Sequence, residues 1–198
     1  MSGASRGPAR FALTSRLLHW TMAAMVLSMF FIGASMVTSL ASYHRLVSIH
    51  RPLGIAILLL VVVRYINRRL TRLPDFLETM SSAERRLATW SERCLYLLMF
   101  GLPLIGWGML SAAGDPIVLF GRTHLPPIVP RSAGLYELFR TAHTVFAYLF
   151  FFMVLAHLSG VLVHAIVIRD GILRRMTWPP ARPSETATAP QRPPPSEP

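Results

Sequence analysis

Four long apolar stretches constrain this chain more than any other feature. A transmembrane helix needs about 20 consecutive, largely apolar residues, and four stretches of the 198-residue chain meet that requirement: approximately 17–40, 47–66, 94–113 and 138–168. Charged residues make up 15% of the chain, whereas soluble domains usually carry about 25%. The first stretch is too long for the apolar region of a cleaved signal peptide, so we expect it to be a retained anchor. The sequence therefore predicts an all-α membrane protein, a bundle of four transmembrane helices.

The distribution of basic residues predicts the orientation in the membrane. The net charge is +11, and all 20 basic residues are arginines. Most of them lie before the first span, between spans two and three, or after span four, whereas five flank the other ends: Arg45, Arg51, Arg122, Arg131 and Arg140. The positive-inside rule then places both termini in the cytoplasm. Arginines at the ends of apolar runs are typical of membrane proteins and do not form the basic face that nucleic-acid binding requires.

Three segments follow from this pattern. Residues 1–12 form an N-terminal cytoplasmic arm, residues 13–178 form the four-helix domain, and residues 179–198 form a Pro-rich tail that we expect to be disordered. A capping-box pattern from Ser81 to Glu84 predicts the start of a short helix before span three. The segment 114–137, with its prolines and glycines, is interpreted as an ordered external cap over the bundle.

Cysteine usage limits the cofactors that the chain can hold. Cys94 is the single cysteine, so no intramolecular disulfide, zinc cluster or iron–sulfur site can be assembled from thiolates. The C-x-x-C-H motif of covalent haem attachment is absent. Any haem must therefore be bound noncovalently.

Histidines inside the spans point to a redox cofactor, because ionisable residues in a membrane are costly and usually functional. His143 and His157 in span four are 14 residues apart. That spacing corresponds to about 21 Å along a helix and to about 40° short of four full turns, so both lie on one face. One helix thus offers two imidazoles at two depths, as two stacked haems would require.

Each haem would need a second ligand from another helix. His19 lies at the cytoplasmic start of span one, and His50 lies at the external start of span two. Depth in the bilayer therefore pairs His50 with His143 and His19 with His157. These four histidines are the predicted axial ligands of two haem irons.

His164 leaves an alternative open. It lies seven residues after His157, on the same face and closer to the cytoplasm, and it could replace His157 as a ligand. We prefer His157, because pairing the haems through His143 and His164 would separate the irons by about 31 Å, close to the full hydrocarbon thickness. His164 is then available to contact a propionate, a quinone or a proton-carrying water. His44 and His124 are interpreted as ordinary polar residues of external loops.

The glycines and the arginines near the histidines can each be interpreted in two ways. Small residues let a backbone approach either a macrocycle or another helix closely, and the candidates are Gly54, Gly101, Gly106 and Gly108. Arginines bind carboxylates such as haem propionates well, but they also mark span ends. The arginines within three residues of a predicted ligand are Arg16, Arg51 and Arg140.

Taken in order, these motifs resemble the bacterial cytochrome b561 family. The resemblance covers about residues 10–178 and rests on Arg16-Leu17-Leu18-His19-Trp20, Ile49-His50-Arg51-Pro52-Leu53-Gly54, Val63-Arg64, Leu102-Pro103-Leu104-Ile105-Gly106, the spacing of the span-four histidines, and Arg174-Arg175-Met176. It implies a diheme, bis-histidine cytochrome of the bacterial inner membrane that exchanges electrons with the quinone pool. One member type is similar to a superoxide:ubiquinone oxidoreductase.

Three functions remain as hypotheses at this point. The first is a quinone-linked electron-transfer cytochrome with two noncovalent b-type haems, whose external arginines attract an anionic donor such as superoxide, or a periplasmic redox protein. The second is a haem-bearing membrane anchor for a separate oxidoreductase, which a stable copurifying partner would reveal. The third is a haem-free transporter with histidines as proton relays, for which broken helices or inverted repeats would be typical.

Overall fold

The protein forms a bundle of four long helices joined by short connections. The computed structural model describes residues 10–77, 79–119 and 123–177. Its helices are α1 (Leu13–Thr38), α2 (Tyr43–Leu70), α3 (Ser82–Ala113) and α4 (Ala133–Leu162). The predicted Pro-rich tail, and the N-terminal arm before residue 10, lie outside the described residues.

All four helices are long and apolar enough to cross a membrane. Their outward faces carry large apolar side chains, such as Phe31 and Leu97, which are 74% and 71% exposed. In water such surfaces would drive aggregation, but in a bilayer they meet lipid. The fold therefore confirms the prediction of an all-α, four-helix membrane bundle.

Helices α1 and α3 run in one direction and α2 and α4 in the other. The end of the bundle that holds the start of α1, the α2–α3 connection and the end of α4 is called here the Arg-rich end. Arg175 at this end donates a hydrogen bond to the carbonyl of Asp75 in the α2–α3 connection. At the opposite end, Arg51 of α2 forms an ion pair with Asp115 just after α3.

Helix α3 is longer than the sequence predicts. Ser81 and Glu84 form the expected capping box: Ser81 Oγ accepts from the Glu84 N–H, and the Glu84 carboxylate accepts from the Ser81 N–H. The prediction of a separate short helix here is wrong, because the helix continues without a break into the apolar span. Hydropathy marks only where a helix enters the bilayer, whereas the cap marks where it begins.

The core is one apolar cluster in which all four helices take part: Met22, Val26, Ile57, Val61, Leu98, Met99 and Phe150. Phe150 lies seven residues from both His143 and His157, so it is about 10 Å along α4 from each. The cluster therefore separates the part of the bundle near His143 from the part near His157.

The connection between α3 and α4 is not purely irregular. Strands β1 (Val118–Leu119) and β2 (Thr123–His124) pair antiparallel, with Val118 opposite His124 and Leu119 opposite Thr123. Trp107 of α3 donates to the carbonyl of Pro126, and Ser111 accepts from the N–H of Ile128. These bonds hold the connection against the end of α3, as the interpretation of an ordered cap requires.

Helix α4 changes geometry at its Arg-rich end. Residues Val163–Ile168 form a π-helical turn, and Arg169 adopts the left-handed conformation with φ 57°. Such π turns often occur at functional sites. The chain then turns back into a short 3-10 helix (Leu173–Arg175). Directly after this helix, the carbonyl of Met176 accepts a hydrogen bond from the indole N–H of Trp20 at 2.9 Å.

Candidate functional site

His50 and His143 face each other at the end of the bundle opposite the Arg-rich end. Their ring centroids are 6.2 Å apart, and the rings are inclined by 66°. His50 lies in the second turn of α2, and His143 lies in α4, so antiparallel packing of the two helices brings them to the same depth. These two residues are called here the outer pair.

Gly106 of α3 fixes the space around His143. A Cβ atom at this glycine would lie 3.3 Å from Cε1 and 3.5 Å from Nδ1 of His143. That is tight van der Waals contact, so a larger side chain would displace the imidazole. Close helix packing also applies to Gly108, where an added Cβ would lie 3.2 Å from the Phe139 ring. Gly101 faces open space.

His19 and His157 both lie near the Arg-rich end and are called here the inner pair. The two imidazoles lie close enough to interact electrostatically, and Arg64 of α2 interacts with both of them. The Arg64 guanidinium is held in place by α3, where its Nε donates to the Tyr96 hydroxyl at 3.0 Å. Sequence reasoning placed Arg64 only at the end of span two and did not connect it with a histidine.

The histidine rings have polar atoms with no protein partner. Nδ1 of His19, His50 and His143 is buried and makes no hydrogen bond within the described residues. The backbone of Leu102 lies near the His143 ring but does not meet hydrogen-bond geometry at Nδ1. Burial of an unbonded polar group is unfavourable, so these imidazoles are suited to a ligand that the protein itself does not supply.

The spacing of the outer pair fits an iron centre held between two imidazoles. An imidazole nitrogen binds a first-row metal ion at about 2 Å, so adding the ring radius on both sides gives about 6 Å between the centroids of two trans ligands. The 6.2 Å between His50 and His143 matches that value. The residues present therefore fit a haem with bis-histidine coordination.

His164 has a partner that the sequence did not suggest. Its Nδ1 lies 2.5 Å from Oδ2 of Asp170, whose side chain is only 3% exposed. Oδ1 of Asp170 accepts from the Ile172 N–H at 3.1 Å. The π-helical turn and the left-handed Arg169 make this contact, because they fold residue 170 back toward the helix end. The adjacent Arg169 does not take part in this contact, because its Nε donates to the Ile166 carbonyl.

Asp170 is ionised in this setting. Burial acts to raise its pKa, but the hydrogen bond with His164 and the N–H of Ile172 outweigh burial, and the pKa lies below its ordinary value. An ionised carboxylate only accepts hydrogen bonds. Nδ1 of His164 is therefore the donor, and Nε2 is the ring nitrogen directed to other partners.

The arginines near the outer pair have carboxylate partners in the protein. Arg51 pairs with Asp115 at 2.5 Å, and Arg140 lies 3.8 Å from Glu137. At the Arg-rich end, Arg16 donates to the carbonyl of Thr177. Protein groups therefore compete with any propionate for these guanidinium groups.

The two remaining histidines lie away from both pairs. His44 is in the first turn of α2 and contacts the ring of Tyr43, so its predicted place in a loop is wrong by a few residues. His124 lies in β2 of the connection between α3 and α4. Neither lies on a helix face directed into the bundle core.

Four membrane-spanning helices with paired histidines at two depths define a class, the membrane b-type cytochromes. The chain belongs to the prokaryotic cytochrome b561 family, whose family model matches residues 10–179. It is 28% identical over 172 residues to cytochrome b561 homolog 2 of Escherichia coli (strain K12), which covers 85% of this chain and 92% of that protein. It is 26% identical over 175 residues to cytochrome b561 homolog 1 of the same organism, over 84% of this chain and 96% of that protein.

Family membership confirms the resemblance seen in the sequence motifs. The protein is a multi-pass membrane cytochrome of the b type, and its general role is electron transfer.

Proposed function

We propose that this cytochrome holds two noncovalent haem b groups and transfers electrons between a donor and the quinone pool of the bacterial inner membrane. The observation that carries the proposal is the arrangement of four histidines from three helices in two pairs, of which the outer pair faces across the bundle and the inner pair interacts electrostatically. The outer pair, His50 and His143, would hold one haem, and the inner pair, His19 and His157, would hold the other.

The two sites differ in the protein groups around them. Gly106 supports the ring of His143, and Arg64 lies beside both imidazoles of the inner pair. A fixed positive charge stabilises the more negative, reduced state of a nearby redox centre. Arg51 also acts on His50, but it forms an ion pair with Asp115. The inner site is therefore expected to have the higher reduction potential, which favours electron flow from the outer pair toward the Arg-rich end.

Bound haem supplies reversible one-electron chemistry at iron. Each haem would be held by two imidazoles, which would leave the iron no free position for oxygen binding. The apolar cluster around Phe150 keeps water out of the space between the two pairs and holds them at fixed separation. These side chains thus favour electron transfer over oxygen chemistry.

The quinone partner is proposed to lie at the Arg-rich end, beside His164. Asp170 holds Nδ1 of His164, and the His164 side chain is 15% exposed. Nε2 can then donate to a quinone carbonyl when it carries a proton, and accept from a quinol hydroxyl when it does not. A propionate contact for the same nitrogen is the alternative, and it predicts no kinetic role for His164.

The proposed donor side is the end opposite the Arg-rich end. An anionic donor such as superoxide, or a periplasmic redox protein, would be attracted by arginines there. Arg51 and Arg140 are partly neutralised by Asp115 and Glu137, so their contribution is smaller than the sequence suggests. Arg122 lies outside the described residues. Arg131 packs on Gly114 and donates to its carbonyl.

The proposed orientation places both termini in the cytoplasm, which follows from the arginines at the Arg-rich end. An anchor subunit that serves a separate oxidoreductase would use the same haem sites, and a stable partner on copurification would distinguish it. The haem-free transporter is disfavoured, because helices α1, α2 and α3 cross without a break and the one irregular turn lies at the end of α4.

Haem content tests the proposal directly. The purified protein is extracted with acidified acetone, and haem is measured per polypeptide together with the visible spectrum of the intact protein. We expect two extractable haems per chain and a spectrum of six-coordinate, low-spin iron. A ratio near one, or a pigment that stays with the polypeptide, would contradict the proposal.

A further inference from the structure

The first turns of α3 carry a concave, strongly basic surface that no part of the electron-transfer site uses. A cavity of about 280 Å³ opens there to the outside of the bundle. Its lining residues all come from one stretch of helix: Arg85, Arg86, Thr89, Trp90 and Arg93. This cavity is called here the α3 pocket.

Contacts within the protein hold its guanidinium groups in place. Arg85 donates to the carbonyls of Met80 and Leu77, and Arg86 donates through Nε to the carbonyl of Ser82. The Arg93 guanidinium lies over the Trp90 ring, 5.4 Å from its centroid. Each guanidinium has five N–H donors, so these contacts orient the groups and leave donors for an anion.

The carboxylates of this helix segment are engaged elsewhere. Glu84 accepts from the N–H of Ser81 at 2.7 Å in the capping box. Glu92 forms an ion pair with Arg68 of α2 at 2.5 Å, although its charge also acts on Arg93. Among the residues that the structure describes, no carboxylate lines the pocket. Three cations therefore share one surface on which the described residues place no carboxylate.

The pocket lies at the level of the membrane surface. Its residues belong to the part of α3 that precedes the apolar stretch 94–113, so they sit where the helix enters the bilayer. Tryptophan is enriched at this level. Trp90 and Leu97 are 61% and 71% exposed, and their spacing of seven residues places them on one face of the helix. An apolar strip thus continues from the pocket toward the membrane interior.

We propose that the α3 pocket binds the headgroup of an anionic phospholipid from the leaflet at the Arg-rich end. The phosphate diester and its negative charge match the three guanidinium groups, and Arg is the residue best suited to phosphate oxygens. The acyl chains would extend from Trp90 along the exposed apolar face at Leu97. A soluble anion would use the pocket but not the strip.

Native mass spectrometry of the haem-loaded, full-length protein in detergent tests the proposal. Phosphatidylglycerol and phosphatidylcholine are titrated separately, and the dissociation constant of the first bound lipid is measured. The pocket variant is Arg86→Gln/Arg93→Gln, which leaves Arg85 to hold the α2–α3 connection. The matched control is Arg72→Gln/Arg174→Gln, which removes two exposed arginines from the same end of the bundle outside the pocket.

We expect the native protein to prefer phosphatidylglycerol and the pocket variant to bind it about 30-fold more weakly. The control should bind within about threefold of the native protein. Equal loss in both variants would mean that general surface charge attracts the lipid, and equal binding of the two lipids would remove the headgroup claim. Competition by inorganic phosphate as strong as that by the lipid would identify a phosphate site instead. An unchanged haem spectrum verifies that each variant is folded.

Discussion

Oδ2 of Asp170 lies 2.5 Å from Nδ1 of His164, and this carboxylate is almost completely shielded by the end of α4. The contact fixes the imidazole so that Nδ1 donates and Nε2 faces away from Asp170. A carboxylate behind an imidazole is an arrangement that sets the tautomer and the orientation of a proton-exchanging group.

The first prediction concerns this pair. His164→Ala should keep both haems and their bis-histidine spectra yet slow electron delivery to added quinone by about 100-fold, the usual range for loss of a proton-transferring group. Asp170→Asn should slow it less, because the imidazole stays but its orientation is no longer fixed. Rapid mixing of the reduced protein with quinone measures both rates.

The matched controls are His124→Ala and Glu137→Gln, which make the same chemical changes at the other end of the bundle. Quinone reduction at the native rate by His164→Ala with full haem content would remove the quinone role. Loss of one haem from that variant would instead make His164 an axial ligand in place of His157.

The second prediction concerns the ion pair between Arg51 and Asp115. Asp115→Asn removes the carboxylate and releases the positive charge of Arg51 at the proposed donor side. Reduction by an anionic donor should become about threefold faster at low ionic strength, and the gain should vanish at high salt. Stopped-flow reduction with superoxide over a range of salt concentrations measures the effect. A gain that salt does not change would speak against electrostatic attraction of the donor.

The third prediction concerns the close contact between α3 and His143. Gly106→Val should displace the His143 ring and lower the occupancy or the midpoint potential of the outer haem, while the inner haem is retained. Gly101→Val makes the same substitution one and a half turns away, where a side chain meets no other atom. Redox titration should show one altered haem component in Gly106→Val and no altered component in Gly101→Val. Equal effects would attribute the change to a general response of α3 to a β-branched side chain, and not to the contact with His143.

The fourth prediction tests the orientation. Cys94 is the only cysteine, so Cys94→Ser gives a background for single introduced thiols. Thr79→Cys lies exposed in the α2–α3 connection, and Ser42→Cys lies exposed in the α1–α2 turn. The outer membrane of the cells is permeabilised while the inner membrane stays intact, and a membrane-impermeant maleimide is added. It should label Ser42→Cys and not Thr79→Cys. The reverse pattern would invert the proposed topology.

Hydropathy and helical spacing predict most of what is local or periodic in this fold. The four spans, the shared face of His143 and His157, and the capping box at Ser81 each depend on residues a few turns apart. The centroid distance of 6.2 Å between His50 and His143 agrees with the pairing that depth in the bilayer predicts. The haem ligation itself stays a prediction.

The features that sequence reasoning missed depend on contacts between segments. Asp170 reaches His164 only because a π-helical turn and a left-handed residue reverse the chain, and neither has a signal in hydropathy. Arg64 approaches the inner pair because α2 packs between α1 and α3. The two-residue strands β1 and β2 are too short for a periodic pattern, and hydrogen bonds with the end of α3 hold their connection in place.

The assignment of four histidines to two haems is tested most directly by redox titration of four single variants, followed by visible spectroscopy. His50→Ala and His143→Ala should each remove one and the same redox component, and His19→Ala and His157→Ala should each remove the other. Loss of the same component from both His50→Ala and His19→Ala would contradict the pairing and, with it, the proposed path of electrons through the bundle.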